Sequence, residues 1–270
     1  MPRIAREKSA TGVYHIIIRG INKQTIFEDN EDRERFLKTL GKYKGICNYK
    51  IYGYCLMSNH VHLLIKEGDE SISKSMQRIS SSYVYWYNLK YQRSGHLFQG
   101  RFKSEPINRP SIFLKVLRYI HQNPLKAGIS KGVGESKWTS YREYIVGSCL
   151  VDRGPALYYL VNELPEKQTT QNQQNLNKES YNYNGILQFQ EFMNESNEDA
   201  YLEWKGRKRL SDDSLSQRIY ELGINNINEI QGYNIKERNE LLRQLKAIEG
   251  VSVRQLSRVT GISKSVISRA

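Results

Sequence analysis

Residues 49–66 read YKIYGYCLMSNHVHLLIK. Two runs rich in β-branched and aromatic residues, Tyr49–Met57 and His60–Lys66, flank the short Ser58–Asn59 connection, so a β-hairpin is expected here. Side chains alternate across a strand, so His60 and His62 share one face and Val61 takes the other. Two imidazoles close together on one face suit a single divalent metal ion. They suit a pair of satisfied structural histidines equally well, and the spacing alone does not choose.

Working outward, Gly12–Arg19 (GVYHIIIR) has the β-branched content of a strand and ends at Gly20. Between it and the hairpin, Asp29–Gly45 places Phe36, Leu37, Leu40 and Tyr43 at helical spacing, with Asp29 or Asn30 as the N-cap. After the hairpin, Ser71–Tyr91 reads as a long helix and Arg101–Ile107 as a fourth strand. A helix then starts at Pro110 and is expected to stop near Asn123, before Pro124. Strand, helix, strand, strand, helix, strand, helix is the split βαβ pattern. The expected fold class is α+β, a ferredoxin-like antiparallel sheet with helices on one face.

The chain has 270 residues, with 41 Lys and Arg against 28 Asp and Glu, a net charge of +13. That balance points to a polyanionic partner, nucleic acid before anionic membrane. Three widely spaced cysteines make neither a CxxC zinc site nor a disulfide framework and suit a reducing cytosol. The N-terminal residues lack a signal-peptide core and no apolar run reaches membrane-span length, so a cytoplasmic protein is expected. Residues 168–178, QTTQNQQNLNK, are too polar to order themselves. The expected domains are 1–164, a linker at 165–185, and a helical region at 186–270 ending in a helix-turn-helix over about 235–270.

On the helix before Pro124, Tyr119 and Asn123 stand four residues apart and share a face. Packed over the sheet, that face would bring an amide oxygen and a phenol to the histidine pair. A phenol ordinarily loses its proton near pH ~10, so a neighbouring cation would help it act as a nucleophile. With 19 tyrosines in the chain, a core or surface role is the commoner reading for any one of them. Tyr83 and Tyr87 also share a helix face, but aromatic residues at that spacing usually fill a core.

These residues stand in blocks that occur together and in order: PRIAR (2–6), GVYHIIIRG (12–20), LMSNHVHLL (56–64), GHLFQGRFKS (95–104), RYIHQNPLKAG (118–128) and WTSY (138–141). In them the chain resembles the REP-associated tyrosine transposases of the HUH superfamily, over roughly residues 2–144. The resemblance implies that His60 and His62 bind a metal ion, Mg²⁺ or Mn²⁺, with Asn123 as third ligand, and that Tyr119 is the nucleophile. It implies an HUH-type catalytic domain that cuts single-stranded DNA at hairpin sites, passes through a 5′-phosphotyrosine and works as a homodimer. No GxxxxGK[ST] loop occurs, in keeping with strand transfer that needs no nucleotide cofactor. Two other readings stay open: a DNA-binding regulator derived from a transposase, and a zinc-dependent hydrolase using the same histidines.

Ser71–Lys126 carries Lys or Arg at 74, 78, 90, 93, 101, 103, 109, 115, 118 and 126 against the single acid Glu105, with aromatic residues interleaved. Cations track a phosphate backbone while aromatic faces stack on bases. Arg101, Lys103 and Arg118 are the expected DNA contacts in this stretch, with Arg3 and Arg6 as a flexible basic arm. In the tail SVRQLSRVTGISKSVISRA (252–270), Ser252 caps one helix, Gly261 allows a tight turn and Ser263 caps a second helix. That pattern leaves Lys264, Ser265 and Arg269 on the exposed face of a recognition helix. DNA affinity is therefore expected to fall steeply with salt. A log–log titration of binding against NaCl that stays flat would rule out a phosphate-tracking surface.

Overall fold

In the computed structural model, which describes residues 6–147, 149–162, 178–199, 201, 211–248 and 250–270, the run VYHIIIR forms strand β1 (Val13–Arg19). Helix α1 (Asn30–Cys47) starts from Asp29. The Asp32 N–H donates to the Asp29 carboxylate at 3.0 Å and the Asp29 N–H donates to the Asp32 carboxylate at 3.3 Å, a reciprocal cap. The hairpin forms as strands β2 (Lys50–Met57) and β3 (His60–Lys66), with a register irregularity between Ile51 and Gly53. Helix α2 (Ile72–Lys90), strand β4 (Lys103–Pro106) and helix α3 (Pro110–Lys126) follow. Every strand pair is antiparallel and the order is β2-β3-β1-β4, the ferredoxin-like arrangement that the sequence pattern implies.

Two details differ from expectation. Pro124 lies inside α3 rather than stopping it. Proline forgoes the N–H bond to the carbonyl four residues back. So close to the helix end the loss is confined to one bond, and the Ala127 N–H still donates to the Asn123 carbonyl at 3.0 Å. The sheet is also covered on both faces, not one. Helix α3 lies on the face that carries His62, and it approaches where Gly53 has no side chain: a Cβ at Gly53 would meet Leu117 Cδ1 at 2.5 Å. Residues pointing the other way, Ile16, Ile18, Val61, Leu63 and Ile65, are just as buried. Helices α1 and α2 pack on each other in that same core, through Phe36 and Tyr83 with ring centroids 5.2 Å apart.

Three more helices complete this unit: α4 (Tyr141–Val146), α5 (Gly154–Asn162) and α6 (Lys178–Asn194). Residues 163–177, most of the stretch expected as a linker, lie outside the described residues, and residues 178–185 begin α6. Phe189 of α6 is fully buried, stacked on Tyr144 at 4.3 Å and edge-on to His121 at 5.7 Å. The chain divides into Met1–Trp204 and Lys205–Ala270, so α6 falls in the first unit.

The second unit contains α7 (Asp212–Glu221), α8 (Ile235–Ala247), α9 (Val253–Thr260) and α10 (Lys264–Arg269) around Leu215, Ile219, Leu242, Leu245, Leu256 and Ile267. The Gln255 N–H donates to the Ser252 hydroxyl at the start of α9, and the Val266 N–H donates to the Ser263 hydroxyl at the start of α10. Gly261 between them takes φ +70, a left-handed value that suits glycine, and Ile262 plugs the core beneath the turn. Among the described residues no helix is long and apolar enough to cross a membrane.

The contact of α3 with the sheet gives a direct test. Gly53→Ala is expected to overpack the interface and lower the stability of the chain by about 1–3 kcal/mol, read by urea denaturation. An unchanged midpoint would mean that Leu117 Cδ1 turns aside to admit the methyl.

Candidate active site on the histidine face of the sheet

The β1–β3 register places Ile17 opposite His62 and Arg19 opposite His60, and the β1–β4 register places His15 opposite Glu105 and Ile17 opposite Lys103. One face of the sheet therefore presents His15, Arg19, His60, His62, Lys103 and Glu105. The His60 and His62 rings lie 5.0 Å apart. Burial holds the His62 imidazolium well below its usual range. It also lowers His60 to about 4, helped by the positive charge of Arg19. Both rings are thus neutral at physiological pH, the state in which imidazole donates a lone pair. An amide oxygen only accepts, so the 2.6 Å contact of His60 Nδ1 with Asn59 Oδ1 puts the His60 proton on Nδ1 and leaves its Nε2 lone pair for a ligand.

Helix α3 sets Tyr119 against these rings. Its phenol packs edge-on to His62 at 5.7 Å and to His15 at 5.9 Å between centroids. Tyr119 is only 4% exposed and also meets Tyr201 at 5.6 Å, with the Lys126 ammonium 5.4 Å over its ring. One turn on, Asn123 Nδ2 donates to the Tyr119 carbonyl at 2.8 Å, which directs the amide nitrogen away and leaves Oδ1 as the oxygen a cation would take. Among the described residues no three His, Cys, Asp or Glu side chains converge as a metal centre. The donors shown at this face are the imidazoles of His60 and His62, with the Asn123 amide one helical turn beyond Tyr119; imidazole nitrogen and amide oxygen are together a set that borderline divalent ions accept. The rival tyrosines are structural: Tyr83 is fully buried with its hydroxyl donating to the Ile26 carbonyl at 2.6 Å, and the Tyr87 hydroxyl donates to Glu28 at 3.0 Å.

The basic residues are distributed less simply than their spacing suggests. Arg3 lies outside the described residues. Arg6 is no flexible arm: its guanidinium donates to Ser73 Oγ and the Phe102 carbonyl and stacks 3.8 Å from the Phe102 ring. Arg118, expected as a DNA contact, is buried and its charge is taken up by Glu195 and Asp199, each at 2.7 Å. Other cations of the acid-poor stretch meet acids supplied from elsewhere: Lys74 and Arg78 pair with Glu70, and Lys90 with Asp29, Glu31 and Asp32. Arg101 stays exposed beside β4, near the half-buried Lys103 on the histidine face. On the second unit, Lys264, Ser265 and Arg269 are exposed along α10.

His15, Glu105 and Tyr201 belong to this site and were not singled out by the sequence reading. The one available signal for His15 was its place in a strand of alternating direction beside the histidine strand. Nothing in the sequence announces Tyr201, which reaches the site from beyond α6.

Residues 8–123 match the model of a protein family described as transposase IS200 like. Among solved structures, a REP-associated tyrosine transposase bound to a REP hairpin is similar at 19% sequence identity and a TM-score of 0.47. The likeness covers 54% of this chain and 86% of that one. No curated protein matches the chain. The family match runs from just before β1 to Asn123 and takes in the histidine strand, the Glu105 strand and most of the tyrosine helix, so residues 8–123 are similar to the IS200-like transposases.

Proposed function

We propose that the protein cleaves single-stranded DNA beside hairpin sites and transfers strands through a 5′-phosphotyrosine on Tyr119. The observation that carries this reading is the packing of the Tyr119 ring against His62, 5.7 Å away, on the face where His60 also lies. Tyr119 Oη forms the new bond to phosphorus as the P–O3′ bond breaks; the phenol gives up its proton and the departing 3′-oxygen takes one up. One phosphodiester replaces another, so rejoining to a second 3′-hydroxyl needs no nucleotide cofactor. His60 and His62 with Asn123 are the residues that would hold Mg²⁺ or Mn²⁺, which when bound supplies positive charge for the phosphate oxygens in the transfer. The exposed Arg101, with Lys103 on the histidine face, would guide the backbone, and Lys264, Ser265 and Arg269 on α10 would contact duplex DNA through a helix-turn-helix. Hairpin DNA and a homodimer are what the sequence blocks imply by resemblance.

A second reading, a DNA-binding regulator that no longer cuts, is favoured by the burial of Tyr119 beneath Tyr201. One experiment separates the two. A labelled hairpin oligonucleotide with a single-stranded flank, incubated with Mn²⁺, is expected to give a denaturant-resistant protein–DNA adduct with the wild type and with Tyr83→Phe. Tyr119→Phe should give none. An adduct that persists in Tyr119→Phe would remove the nucleophile assignment, and no adduct with any form would favour the regulator.

A further inference from the structure

His15 is fully buried in a strand whose neighbours are mostly aliphatic, and its two ring nitrogens face two different groups. Its Nε2 lies 3.0 Å from His62 Nδ1, with the rings stacked at 5.3 Å and 17°. Its Nδ1 lies 3.7 Å from Glu105 Oε2, across the β1–β4 ladder where the two residues are direct partners. At that distance Nδ1 makes no hydrogen bond, so the carboxylate acts on it through charge.

Two neutral imidazoles bonded through nitrogen share one N–H, and only two arrangements exist. In one, His15 carries its proton on Nε2 and donates to His62. His15 Nδ1 then turns a lone pair toward the carboxylate, and the proton of His62 is forced onto Nε2, where it blocks ligation. In the other, His15 carries its proton on Nδ1, toward Glu105, and accepts at Nε2 from His62 Nδ1–H. His62 Nε2 is then a bare lone pair. A negative charge beside Nδ1 selects the second arrangement, because it attracts the N–H and repels the lone pair of a ring that is itself fully buried.

We propose that Glu105 and His15 are positioning residues that fix the tautomer of His62, so that it presents Nε2 as a ligand lone pair. Asn59 does the same for His60 directly, through the Nδ1 contact described above. The inference rests on the reading of His60 and His62 as metal ligands. Outer partners of this kind, when removed, weaken metal affinity by roughly 10- to 100-fold.

The test uses the full chain without DNA. Mn²⁺ binding is measured by electron paramagnetic resonance titration, and the His62 tautomer by ¹⁵N shifts of labelled histidine in the metal-free protein. Wild-type His62 is expected to carry its proton on Nδ1. Glu105→Gln, at a partly exposed side chain, should leave the fold intact yet shift His62 toward the Nε2–H form and weaken Mn²⁺ by roughly 10- to 100-fold. His15→Gln should show the same loss. A wild-type His62 found as Nε2–H, or Glu105→Gln binding Mn²⁺ like the wild type while His62→Ala does not, would overturn the relay. If His62→Ala binds Mn²⁺ as well as the wild type, the ligand reading itself fails and the relay falls with it.

Discussion

The antiparallel ladder between β1 and β3, with Ile17 opposite His62, decides which side chains meet on the histidine face. Period-two alternation means that a slip of one residue would turn His15 into the opposite layer and bring Ile16 or Ile18 beside the histidine pair. The register is held because both layers are filled. Ile16, Ile18, Val61, Leu63 and Ile65 fill one, and α3, through Leu117 over Gly53, closes the other. The same closure that buries the sheet delivers Tyr119 to the imidazoles. Fold and site are therefore a single packing solution rather than a scaffold with a site added to it.

Burial has an electrostatic consequence as well. Imidazoles removed from water stay neutral, which keeps their lone pairs available. The same low-dielectric setting magnifies the influence of each nearby charge, and Arg19 and Glu105 lie on that face. Elsewhere Lys90 and Arg118 are offset by acids brought in from distant parts of the chain. Arg118 is the clearest case, buried and forked between Glu195 and Asp199. Ten cations against one acid, counted along Ser71–Lys126, thus overstate the uncompensated positive charge around α3.

Much of this was legible in the sequence, and the reasons are local. The hairpin, its same-face histidines, the Asp29 cap and the Tyr119–Asn123 helix face all follow from periodicities of two and 3.6 residues. The caps and the Gly261 turn at the end of the chain follow from side-chain oxygens and a positive φ. What was not legible depends on partners far apart in the chain. His15 and His62 are separated by 47 residues, and Arg118 and Asp199 by 81, and neither distance carries a spacing rule. Counting acids within Ser71–Lys126 alone failed for the same reason, since Lys90 and Arg118 pair with acids outside it. Pro124 misled because a proline in a final turn costs less than one in a helix interior.

The bare Cα of Gly53 has one more implication. The tyrosine helix lies against the sheet there over a missing side chain, since a Cβ at Gly53 would meet Leu117 Cδ1. Under the proposed function, placement would matter at the scale of ~1 Å, where misalignment costs on the order of 10²-fold in rate. A single methyl at Gly53 would bear on Leu117, two residues before Tyr119 on the same helix. The seating of α3 on the sheet thus depends in part on a position that has no functional group at all.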